Sequence, residues 1–154
     1  AYVDAMGVAL ADATTAALDA AEPEAAPRVQ HVAHNVTFSN SNWRFRLLER
    51  LGLVDVVTTG KQVSSVVHGV TVGPAQLVTA PGEVCPELGE RIWSRIPAAH
   101  RGLICLCEDE FGYILEPSMF DLKKYGYEQT MSLGRSTAET LIAACGDLLD
   151  PATA

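Results

Sequence analysis

The chain has 154 residues, 48% of them apolar and 19% charged, which is the composition of one globular domain with a real core. Its net charge is −8, with 11 basic against 19 acidic residues. An acidic surface repels phosphate backbones and anionic headgroups, so nucleic acid is excluded as the expected partner. No apolar run reaches the ~20 residues a membrane helix needs, so no transmembrane segment is expected, and the opening lacks the basic n-region of a signal peptide.

In chain order, residues 1–22 predict an amphipathic helix, with Val3, Met6, Leu10, Ala13 and Ala17 at steps of three and four. The "PEAAP" run at 23–27 ends it. Residues 28–38 alternate as a strand, with Val32, Val36 and Phe38 on one parity. "SNSN" is a loop or cap before a helix carrying Leu47, Leu48 and Leu51, stopped by Gly52. Residues 62–72 and "QLVTA" predict two strands joined at "GPA".

"APGE" then breaks the second strand, and Pro86 opens a helix to about Ile96, with Leu88, Ile92 and Ile96 on one face. "GLICLC" predicts a central strand covered on both sides. The chain closes on a helix whose Ser136 and Glu139 match a capping box. These elements predict an α/β fold, a mixed β-sheet layer packed with α-helices in a single domain over residues 1–154.

Chemistry-bearing residues are few. His31 and His34 form an H-x-x-H on a strand, where a spacing of three puts the two on opposite faces and argues against a shared metal. His68 and His100 have no local partner pattern, and Ser64 and Ser65 have no evident base. Cys85, Cys105, Cys107 and Cys145 fit neither a zinc knuckle nor a disulfide framework, and read as small buried hydrophobes in the reduced state. The run Glu108, Asp109, Glu110 is the weakest candidate for a self-contained site, since such runs are usually solvated loops.

Two strand ends stand out. Glu83 follows "QLVTAPG" and Tyr113 follows "GLICLCEDEFG". Ligands in layered α/β folds gather at such ends. Glu83 reads either as a carboxylate capping the following helix or as a ligand.

Four features in order, "VSSVVHGVTVGPAQLVTAPGE", "LGERI", "FGYIL" and "YGYEQTMSLG", resemble the later part of the catalytic domain of neutral/alkaline (non-lysosomal) ceramidases and their bacterial relatives. The resemblance runs from about Gln62 to Leu149. It implies a zinc-dependent amidohydrolase acting on an N-acyl bond of a lipid-like or other amide small molecule. It implies Glu83 and Tyr113 as two zinc ligands. The other two, both histidines, and the catalytic nucleophile or base would lie in an N-terminal half of the same protein.

On that implication Zn2+ binds only with the N-terminal half, which is then a partner, and the chain by itself is inactive. The competing expectation is a non-catalytic, stand-alone binding or assembly domain that retains the scaffold.

Overall fold

The computed structural model describes residues 2–53, 58–59 and 61–149. The first residue and the "DPATA" end of the chain, which the sequence reading included, lie outside them. The fold is α/β. One sheet is built from β1 (Val29–Ser39), β3 (Gln62–Val72), β4 (Ala75–Thr79) and β6 (His100–Ile104) in that order, with β2 (Thr58–Thr59) pairing β3. β1, β3 and β4 run antiparallel, and β6 joins β4 in parallel, so the sheet is mixed. A second, two-stranded parallel sheet pairs β5 (Glu83–Val84) with β7 (Tyr113–Ile114).

The strand alternation selects the buried face. Even residues of β1 and odd residues of β3 point inward, ending in buried Val36, Phe38, Val63 and Val67. Two helices cover this face. They are α3 (Pro86–Trp93), through Leu88 and Ile92, and α5 (Thr137–Leu149), through Leu141, Ile142, Cys145 and Leu148. Each such side chain contributes about 1.5–3 kcal/mol by leaving water.

The opposite face of the sheet stays open. The register pairs Val29 with Val72, His31 with Val70, Ala33 with His68, and Asn35 with Val66 on that side. β4 and β6 add Leu77 and Ile104. Val29 is 66% exposed and Ile104 44%.

Several sequence expectations need correction. α1 (Tyr2–Ala20) is a helix as its period predicts, but none of its residues is buried: Val3, Met6 and Leu10 are 79%, 57% and 70% exposed. "GLICLC" is not a central strand. β6 ends at Ile104 and lies at the sheet edge, half-exposed. Its lack of a polar face reflects the uncovered sheet surface next to it, which an apolar run cannot distinguish from a buried one.

The helix predicted to reach Ile96 ends at Trp93, though Ile96 still packs in the core. Glu139 does not complete a capping box, because its carboxylate accepts from Arg91 at 3.0 Å. Of the cysteines, only Cys145 is buried; burial pushes its thiol up to about 12.

α2 (Trp43–Arg50) starts on Asn42, whose side chain accepts from the Arg44 N–H, as "SNSN" predicts. α4 (Gly126–Thr130) lies between the two sheets' last strand and α5 in sequence, preceded by 3-10 turns at Pro117–Asp121 and Lys123–Tyr125.

Candidate functional site at the strand ends

Glu83 and Tyr113, thirty residues apart in the chain, are direct partners in the small parallel sheet. Two glycines bring their strands together. A Cβ at Gly82 would lie 2.6 Å from the Gly112 carbonyl oxygen, and a Cβ at Gly112 would collide with the Met131 carbonyl oxygen. Gly112 also sits at φ +74, which L side chains rarely adopt. The Glu83 N–H donates to the Gly112 carbonyl at 2.9 Å, and the Tyr113 N–H donates to Met131 at 2.7 Å. "PGE" and "FGY" are therefore one packing unit with the Met131 turn: Gly82 leaves room for the Gly112 carbonyl, and Gly112 leaves room for the Met131 carbonyl.

Glu83 does not cap α3. The N-cap residue is Cys85, with no side-chain hydrogen bond, and Glu83 is already in β5. With Tyr113, Tyr125, Cys85 and Glu128 it lines a pocket of about 180 Å³. The chemistry there is acceptor-rich. The half-buried Tyr113 phenol is held above its ordinary value by desolvation first, then by the charge of Glu83, by Tyr127, by its hydrogen bond to Glu83 and by Glu128. Tyr113 thus favours its protonated form beside Glu83 and would become a phenolate ligand only if a cation offset these surroundings.

One oxygen stands out. Glu128 Oε2 is buried without a hydrogen-bond partner. A buried carboxylate oxygen left unpaired is costly, and it calls for a cation or a donated N–H. The sequence signal for it was present in "YGYEQ", where a Tyr-Glu pair opens a short helix, but nothing local showed that it would face Glu83.

Zinc takes four donors, usually nitrogen and sulfur with some carboxylate oxygen. This corner offers the Glu83 carboxylate, the Tyr113 hydroxyl and the orphaned Glu128 oxygen. They fit part of a zinc shell and not a whole one. Among the described residues no group of three or more His, Cys, Asp or Glu could hold a metal ion.

The histidines lie elsewhere. His34 points to the α5 side, 3.5 Å from Asp147, and His31 points to the open face beside His68, so the H-x-x-H pair does face opposite ways. The acidic run is a loop with Glu108 and Glu110 exposed, as the sequence predicts, but its side chains are engaged: Glu108 meets His68, the Ser65 hydroxyl donates to Asp109 at 2.6 Å, and Glu110 accepts from the Gly112 N–H. Sequence reading missed these contacts because their partners are 40 and 44 residues away.

No family model matches the chain, and no curated protein matches it. Solved structures similar over part of it include a ceramidase complexed with C2, at 18% identity and TM-score 0.47, covering 56% of this chain and 14% of that one. Another is neutral ceramidase from Pseudomonas aeruginosa, at 12% identity and TM-score 0.49, covering 79% of this chain and 28% of that one. The chain spans under a third of either. Likeness at this level assigns no residue a role. Among the described residues, no helix is long and apolar enough to cross a membrane.

Proposed function

We propose that this chain is a binding or assembly domain and not a self-contained hydrolase. The observation that carries this reading is the open sheet face, where Val66, Val70, Val72, Leu77 and Ile104 form an apolar surface that neither α3 nor α5 covers. Apolar surface of this kind, here interrupted by His31 and His68 and most exposed at Val72 and Ile104, is a mark of association. The occupant is a polypeptide with an apolar patch of neutral or basic surroundings, because a net charge of −8 opposes a second copy.

The test is a fluorescent apolar probe titrated into the chain, with Val70→Asp as the variant. Probe binding that falls in Val70→Asp, at unchanged circular dichroism, is expected. No binding, or binding indifferent to the substitution, contradicts the reading.

A second reading rests on the pairing of Glu83 with Tyr113 beside the orphaned Glu128 oxygen. In it, the corner is half of a zinc site in an amidohydrolase resembling the ceramidases, completed by histidines from an N-terminal half of the same protein. Glu83 and Tyr113 would hold the metal, whose bound form polarises a scissile carbonyl and acidifies water. The substrate class would be a lipid-like or other N-acyl amide. Zinc content of the chain reconstituted with such a half, with and without Glu83→Ala, separates the two readings: occupancy that depends on Glu83 favours the second.

A further inference from the structure

The open sheet face carries a second constellation that shares no residue with the Glu83–Tyr113 pocket. His31 Nε2 lies 2.8 Å from His68 Nδ1, and His68 Nε2 lies 3.1 Å from Glu108 Oε1. The two rings are 21° from parallel with centroids 5.0 Å apart. Nitrogens this close, between centroids this far apart, mean that the rings meet edge to edge and not face over face. The backbone register makes the meeting possible: His68 is opposite Ala33, and His31 is its diagonal neighbour on the same face.

The arrangement is held from behind. The His68 backbone N–H donates to Thr79 Oγ1 at 2.8 Å, and the His68 side chain is only 18% exposed. Glu108 reaches it from a loop that runs along β3 beyond the last β4 pairing, with Asp109 on the other side bonded to Ser65. Leu106 and Glu108 both have positive φ, at +55° and +70°. Such residues cost about 1–3 kcal/mol each and persist where neighbours fix them. Here the Leu106 N–H donates to Gly82 and the Cys107 N–H donates to Ala80.

Proton bookkeeping fixes the roles. An ionised carboxylate only accepts, so Glu108 takes the Nε2–H of a neutral His68, and the His68 lone pair is left on Nδ1. His31 presents its Nε2 to that lone pair. A carboxylate behind one imidazole, with the free nitrogen aimed at a shared point, is the arrangement that metal-ligating histidines adopt.

We propose that His31 and His68 form a two-imidazole site for a borderline divalent transition metal, with Glu108 orienting His68 and water filling the remaining positions. The ion takes the place of the proton between the rings, and the His31 proton moves to Nδ1, so both imidazoles bind as neutral ligands. Two nitrogens each ~2.0–2.1 Å from a tetrahedral ion stand about 3.3 Å apart, so the exposed His31 ring draws back by about 0.5 Å from its 2.8 Å contact and tilts until both lone pairs converge on the ion. Imidazole selects zinc, nickel and copper(II) over magnesium and calcium, with copper(II) the tightest.

The experiment is a zinc chloride titration of the full chain, followed by calorimetry and by the histidine ring signals in NMR. The expected result is one ion bound, shifts at the His31 and His68 rings and not at His34 or His100, and no competition from magnesium. Binding is expected to be lost in His31→Gln and in His68→Gln. It should weaken about 10–100-fold in Glu108→Gln and stay unchanged in His34→Ala. Zinc binding unaltered in His31→Gln, whose exposed side chain is not needed for folding, overturns the site. Unaltered binding in Glu108→Gln, or equal shifts at all four rings, overturns it as well.

Discussion

At the scale of single residues, the account rests on what surrounds Tyr113 and on two glycines. Desolvation first, and then the charge of Glu83, hold the phenol above its ordinary value, with Glu128 adding to the same direction. Replacing Glu83 by Gln removes the largest charge acting on it, so Tyr113 should ionise at lower pH. Absorbance titration of phenolate in wild type and Glu83→Gln measures this; an unmoved or raised midpoint would contradict the pairing. The sign for stability follows: a phenol whose folded value is raised loses stabilisation as pH climbs past the ordinary ~10. Gly112→Ala should destabilise the fold by about 2 kcal/mol or more, because it adds both a steric collision with Met131 and an unfavourable φ. A denaturant midpoint within error of wild type would refute the close approach of the Met131 carbonyl to Gly112.

At the scale of elements, helices that look alike in sequence differ in what they contribute. α3 buries Leu88 and Ile92, whereas α1 buries nothing. Ile92→Ala is therefore expected to cost about 2–5 kcal/mol, and Leu10→Ala no more than about 0.5 kcal/mol. Most helical stability in proteins comes from tertiary packing of one face, which α1 lacks, so amide exchange in α1 should be fast while that in α5 is slow. Strong protection of α1 in the isolated chain would contradict its unpartnered placement.

The pattern of what was legible follows from the same physics. β1, β3, β4 and the α3 and α5 faces could be read because one periodic face is buried, and burial writes itself into residue spacing. β2, β5 and β7 are two residues long, too short to carry a period. "GLICLC" misled because an open apolar face leaves the same spacing as a buried one. Glu83 and Tyr113 were legible as strand-end residues, while Glu128, and the link from His31 through His68 to Glu108, depend on contacts between distant segments that no local pattern encodes.

At the scale of the whole molecule, α3 and α5 cover one face of the sheet, only the Glu108 loop among the described residues reaches the other, and the acceptor-rich corner at Glu83 supplies oxygen donors without a full metal shell. Both features suit the proposed role, in which the chain acts with a partner. The central claim, that the chain binds or assembles and does not hydrolyse by itself, is tested most directly by incubating the isolated chain with an N-acyl amide lipid and excess zinc and measuring fatty-acid release. The account predicts release no faster than the zinc-only control, in wild type and in Glu83→Ala alike. Release above that control that disappears in Glu83→Ala and in Tyr113→Phe would contradict it.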